Sequence, residues 1–426
     1  MGKHGDEVPE LRSAAWDRGR GEREREIESS YSVVECKLWE AIGAVSEAQS
    51  MFEQSTPVGR GISFNVQNSN HNPYVLGIET VSVFHHNPYV LSINSLYYNS
   101  FTEDQISKAN HAASTGAAAQ SNVFDVTSSK YGGKTDSDIS EALTMAWKDA
   151  CASPSMSNVL VPMGTFKLSQ QATFEGPCNA PIQFQLQGTV QAPEDRSHLD
   201  DSWVHFKAID KLTLSGGGTF DGQGELFWKH GHGSTPVDIR FKTVNNSIIS
   251  GISFINSAKF HISVHDSDNI TFQQVTITAP EDSHNTDGIH IASSSRITVS
   301  DSYIATGDDC VSIGDGSNQI LVSNITCGPG HGISIGSLGK YPDEQPVVGV
   351  TVRNCTLTAT TNGARIKTWP DSPSASVARD ILYEDIIMED VKNPILINQN
   401  YCDKGKTCRL DNPSKVQISD VRAVRY

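Results

Sequence analysis

Residues 285–337 read NTDGIHIASSSRITVSDSYIATGDDCVSIGDGSNQILVSNITCGPGHGISIGS. Within them GIHI begins at Gly288, CVSI at Cys310 and GISI at Gly332, a spacing of 22 residues each time. A second set, RITV from Arg296 and QILV from Gln319, runs in step with the first. Short β-branched runs bounded by Gly, Asn and Ser are strand signals. Working outward, the first set extends to HISV at His261, ARIK at Ala364 and PILI at Pro394; the second extends to NITF at Asn269, GVTV at Gly349, DILY at Asp380 and KVQI at Lys415. All the intervals fall between 22 and 35 residues. Two interleaved strand series with a similar, drifting period predict a solenoid. A propeller would need four-stranded blades and a leucine-rich repeat its LxxLxL pattern, and neither is present. The fold class expected is all-β, a right-handed parallel β-helix with coils of about 22–35 residues.

Upstream, DISEALTMAWKDAC (residues 138–151) places Ile139, Ala142, Leu143, Ala146 and Ala150 on one helical face. Asp138 with Glu141 three positions on resembles a capping box. One helix is therefore expected, covering the amino-terminal strand edge of the solenoid. Residues 1–120 differ in kind. They open with charged sequence such as GRGEREREIESS, carry HNPYVL twice (71–76 and 86–91), and end in the linker-like HAASTGAAAQ. A poorly ordered extension over 1–120 and a β-helix domain over 121–426 are expected.

The chain has 33 basic and 49 acidic residues, a formal charge of -16, and few, scattered aromatic residues. No nucleic-acid partner is expected on that basis, and a polyanionic ligand would need a local basic patch. No apolar run is long enough to span a membrane, and the first thirty residues contain no apolar core of a secretory signal. Seven of the eight cysteines lie between Cys151 and Cys408. Cys151 with Cys178, Cys310 with Cys327 and Cys402 with Cys408 are at disulfide-like separations, buried free thiols being the alternative. There is no CxxC doublet, so no metal site is expected from cysteine. Asn245, Asn269, Asn324 and Asn354 open glycosylation sequons.

Coil stacking, about 4.8 Å per step, brings Asp287 beside Asp308 and Asp309. One coil on lies His331, between Gly330 and Gly332, and one further lie Arg365 and Lys367, on the same face by strand alternation. Taken singly, these residues read as solvated turns and strand faces. Stacked, they suit cleavage of an acidic sugar polymer. One carboxyl protonates the leaving oxygen and another activates water. Crowding raises the proton affinity of at least one acid, and the cations take the substrate's carboxylates. The glycines leave room for a sugar to approach His331.

The motifs NTD, DD, GHG and RIK, in this order and spacing, resemble those of polygalacturonases, the family-28 glycoside hydrolases. CGPGHGISIGS (327–337) resembles the family's histidine signature, and the likeness runs from Asn122 onward, over about 300 residues. SGGGTFDGQG (215–224) and TGDDCVSIGDGS look closest to plant pollen-type exopolygalacturonases. The resemblance implies Asp308 as general acid, Asp287 and Asp309 as joint activators of water with inversion, and His331 as the assistant of the acid. It implies Arg365, Lys367, Tyr401 and Asn285 as substrate contacts. It further implies a polygalacturonate substrate, no metal or organic cofactor, a monomer, and secretion to the cell wall. By the same likeness the chain stops at Tyr426 short of the last coils, which would leave Cys355 without a partner. Inversion rests on the resemblance alone, since inverting carboxyls stand about 6.5–9.5 Å apart and a coil step is shorter. Two alternatives are a calcium-dependent pectate lyase and a non-catalytic pectin-binding protein.

Overall fold

The computed structural model describes residues 62–68, 76–83, 92–94, 122–196, 198–230, 235–403 and 407–425. The chain divides into two compact units, Met1–Ala117 and Ala118–Tyr426. In the first, strands Ile62–Asn68, Leu76–Val83 and Ser92–Asn94 form an antiparallel sheet. Apart from Leu76, both HNPYVL copies lie outside the described residues, as does the linker; the expected poor order of 1–120 falls mostly there.

The second unit is a right-handed parallel β-helix. Its front sheet has nine parallel strands, one per coil, from Ala172–Glu175 through Ile262–His265, Ile289–Ala292, Val311–Ile313, Ile333–Leu338 and Asn362–Thr368 to Asn393–Asn398. Every run of the series that begins with HISV falls in this sheet. The other series falls in a sixteen-stranded sheet behind it. The register keeps like residues in columns: Ile262, Ile289, Val311, Ile333 and Ala364 form one, and Val264, Ile291, Ile313, Ile335 and Ile366 another. All ten are buried, because alternation turns them into the coil interior.

Toward the amino-terminal end the same inward column becomes aromatic, Phe174, Phe206 and Phe241, with ring centroids 5.0 and 5.1 Å apart. Each such ring contributes about 1.5–3 kcal/mol by burial, and each pair about 0.5–1.5 kcal/mol more. Helix α1, Ser140–Cys151, lays Trp147 on this stack, 5.0 Å from Phe174. Ala142, Leu143, Ala146, Trp147 and Ala150 are all buried beneath it. The expected capping box forms differently. Ile139 takes the N-cap position, and Asp138 accepts the Ser140 amide at 2.9 Å. Glu141 is left in the first turn, where a negative charge suits the helix dipole. A second helix, α2 (Glu225–His230), was not expected from the sequence. It lies in the corner between strands Thr219–Asp221 and Val237–Lys242.

All three expected disulfides form. Cys355 is 1% exposed, in ladder contact with Ile386, and burial pushes its thiol up to about 11. Among the described residues it is the free cysteine, packed as an apolar core residue.

Candidate active site

Each coil turns one corner immediately before its front strand, and the site is built from four successive corners. With Ile289, Val311, Ile333 and Ala364 in register, the positions two residues earlier are Asp287, Asp309, His331 and Asn362. Backbone bonds hold the stack, from Gly288 N–H to Asp309 O (2.9 Å) and from Cys310 N–H to Gly332 O (2.8 Å). Asp308 stands one position earlier than Asp309, and its carbonyl accepts the His331 amide at 2.8 Å. Gly332 has φ +85°, and a Cβ there would lie 1.9 Å from Asn362 O. Only glycine lets the corner bring His331 down onto Asp308. Directly behind, the Cys310–Cys327 bridge ties the end of the acid corner to the start of the histidine corner.

The predicted cluster exists. His331 Nδ1 is 2.9 Å from Asp308 Oδ1. Lys367 Nζ donates to Asp309 Oδ2 at 2.6 Å, and the Arg365 guanidinium lies 3.6 Å from Asp309 Oδ1. Tyr401 faces both cations, its ring 5.6 Å from the Arg365 guanidinium and 5.5 Å from Lys367 Nζ, with Trp369 packed edge-on against it. Asn285 lies two residues before Asp287. It is exposed on the turn leading to Asp287 with φ 57°, and among the described residues no hydrogen bond or ion pair joins it to the acids.

The three carboxyls are not equivalent. Asp287 is 6% exposed, and burial, with the negative charges of Asp308 and Asp309, holds its carboxyl well above the usual range. At Asp308 burial opposes ionisation, but the hydrogen bond and charge of His331, with Lys367, win and hold it low. The same bond raises His331. Burial disfavours the Lys367 ammonium, yet Asp309 outweighs it and the group is raised. Asp287, His331 and Lys367 are thus the groups whose hold on a proton the site strengthens. Polar atoms of Asp308, Asp309 and His331 come within 4.8 Å of one another, close enough for one shared cation. The cation already against Asp309 is the Lys367 ammonium, which disfavours a second positive charge beside it.

Sequence reading found Arg365 but missed the rest of its outward-facing column, Ser263, His290, Ser312 and Ser334. Ser312 donates to Asp287 Oδ2 at 2.7 Å and Ser334 to Asp309 Oδ1 at 2.6 Å. The signal was available: in GIHI, CVSI and GISI the middle polar residue lies at a fixed, short distance past the acid or its equivalent. Arg365 Nε is buried without a hydrogen-bond partner among the described residues, leaving a donor for an incoming anion. Along the same row of corners, toward the amino terminus, a cavity of about 910 Å³ is lined by residues including Asp221, Gln223, Trp228, Asn256, Asp282 and His284. It does not include the acid cluster, and we assign the chemistry to the cluster on its hydrogen bonding and burial.

Comparison with known proteins agrees with this geometry. Residues 151–425 match the sequence profile of "Glycosyl hydrolases family 28". A "Polygalacturonase" of Medicago sativa is 49% identical over 317 residues, covering 71% of this chain and 74% of its own. An "Exopolygalacturonase" of Platanus acerifolia is 44% identical over 315 residues, covering 72% and 82%. Among solved structures, the polygalacturonase from Erwinia carotovora ssp. carotovora superposes with a TM-score of 0.54 at 23% identity, covering 69% of this chain and 93% of its own; this likeness concerns the fold.

Proposed function

Because the chain belongs to the glycosyl hydrolases family 28, we propose that it hydrolyses the α-1,4 links between galacturonate units of pectin by an inverting acid/base mechanism, removing units from chain ends. It is a glycoside hydrolase, and the lyase alternative is not favoured by its relatives. The observation that carries the catalytic reading is the division of labour among three carboxyls in one cleft. Asp308, beside the protonated His331, receives a proton at 2.9 Å and passes it to the leaving oxygen. Asp287, whose proton affinity is raised by burial and its charged neighbours, takes the proton of the attacking water. Asp309, ion-paired with Lys367 and Arg365, orients that water and steadies the positive charge growing at the anomeric carbon. The unpartnered Arg365 donor, with Lys367 and Tyr401, receives the sugar carboxylate. The exo mode is supported by relatives named exopolygalacturonase. Secretion to the cell wall follows from the plant relatives and from three disulfides, which persist in oxidising compartments. We expect the enzyme to act as a monomer.

The test is hydrolysis of de-esterified polygalacturonate. Asp308→Asn should lose about 10²–10⁴-fold in kcat while still unfolding in one cooperative transition. An active Asp308→Asn enzyme would refute the acid's identity. Chromatography of the earliest wild-type products should give monomer alone, whereas a ladder of oligomers means internal cleavage, and products absorbing in the ultraviolet mean elimination.

A further inference from the structure

Asp287 and Asp309 occupy one register position on neighbouring coils, and each accepts a bond from a serine hydroxyl one coil on. What stands behind those serines differs. In register with Ser334 comes Arg365, a fixed cation. In register with Ser312, on the other side, comes His290, whose Nδ1 lies 2.8 Å from Ser312 Oγ. The atoms therefore run Asp287 Oδ2, Ser312 Oγ, His290 Nδ1, in two steps of 2.7 and 2.8 Å.

We propose that Ser312 and His290 form a proton-conducting chain behind Asp287, which clears from that carboxyl the proton it takes from water in each turnover.

Hydrogen counting makes the chain bistable. A hydroxyl carries one hydrogen. When Asp287 is ionised, Ser312 donates to it and accepts from a proton on His290 Nδ1. When Asp287 is protonated, it donates to Ser312, and Ser312 donates to an Nδ1 that carries no proton. A turnover supplies the need. As the carbon–oxygen bond to water forms and the glycosidic bond breaks, Asp308 gives its proton to the leaving oxygen and Asp287 gains one from water. Before the next turnover Asp287 must lose that proton and Asp308 must recover one, from solvent through His331. His290 first moves its proton from Nδ1 to Nε2 by exchange with solvent; Asp287 then passes its proton to Ser312 and Ser312 passes its own to Nδ1, and loss of the Nε2 proton releases one proton to solvent and leaves every group as it began.

His290 suits a conductor better than a store. Burial first, then the positive neighbours His265, Lys367, Lys259 and Arg240, push its imidazole down to about 3. It passes charge on by exchanging which nitrogen is protonated. Ser312 is 2% exposed, so water cannot easily replace it in the chain. Facing Asp287 are Asp308, Asp309 and Lys367, and none of them offers a neutral exit. The two residues act through Asp287, so they are positioning and relay residues of the hydrolysis proposed above, on which this inference rests.

The test compares wild type, Ser312→Ala and His290→Gln on polygalacturonate between about pH 3.5 and 8. The amide of His290→Gln keeps a partner for Ser312 but has no second ring nitrogen to conduct. We expect kcat to fall about 10–100-fold in both variants, KM to stay within about twofold, and the acidic limb of the kcat profile, where Asp287 must lose its proton, to move by about half a pH unit or more. In ¹⁵N-histidine spectra, Asp287→Asn should change the protonated nitrogen of His290, a readout independent of turnover. If Ser312→Ala fails to fold, His290→Gln carries the same comparison. Unchanged kcat and profile in His290→Gln, or a rise in KM alone, overturns the relay. Loss of wild-type hydrolysis overturns instead the function on which it rests.

Discussion

Asp287 and Asp309 are one residue type at one register position, and their neighbours make them opposites. Asp309 is fully buried yet met by a lysine at 2.6 Å. Asp287 is buried among carboxylates with only a distant share of that lysine. The consequence reaches stability. An acid whose folded pKa lies above its unfolded value binds its proton more tightly when folded, so the protein loses stability as pH rises from about 4 through that raised value. Asp287→Asn removes the ionisation. At pH 7 it should raise the melting temperature, by about 2–4 °C for each kcal/mol of relieved repulsion, and the difference should vanish near pH 4. Equal melting temperatures at both pH values would show that Asp287 is not forced to hold its proton. The Asp308–His331 pair runs the other way. The lowered Asp308 contributes above the usual carboxylate pKa and the raised His331 below the usual imidazole pKa, so the pair is fullest between about pH 4 and 6.5.

At the scale of the element, the corner does the positioning. Gly332→Ala would drive a Cβ into the Asn362 carbonyl and force the corner outward, carrying His331 off Asp308. A shift of about 1 Å is enough for a loss near 10²-fold in kcat, and we expect that loss together with a lower melting temperature; full activity would mean that the corner has slack. Much of this was legible in the sequence, because a side chain's face follows from the two-residue alternation and its neighbour from the coil period. The pairs Asp287 with Asp309 and Arg365 with Lys367 were found in that way. Asn285 was assigned to the site by motif, and it stands exposed on the turn that leads to Asp287. Ser312, His290 and α2 were missed for physical reasons. A serine between two β-branched apolar residues looks like any solvent-facing strand position, and the six residues of α2 are too few to show a helical period. Nor could composition reveal that Lys367 would be spent on Asp309 before any substrate arrives.

For the molecule as a whole, the charge of -16 opposes a polyanionic substrate. The cleft cations proposed to bind it are buried, Lys367 at 8% exposure. Salt treats the two differently: it screens long-range repulsion, with the Debye length falling from about 30 to about 10 Å between 0.01 and 0.1 M, and screens buried pairs much less. The rate constant kcat/KM on long polygalacturonate should therefore rise over that range of salt before falling at higher concentration, while a monotonic fall from the lowest salt would place the dominant charge in the cleft. The coil architecture also sets an order in time. Each coil pairs its strands only with its neighbours, so the acid corners can assemble while later coils are still being translated. Asp309 leaves the ribosome 58 residues ahead of Lys367, a lead of about 3–12 s at ordinary synthesis rates. Until then the acid corners have only His331 as a cationic partner, so the set of charges on which the proposed hydrolysis depends is complete only when the coil that carries Arg365 and Lys367 is added.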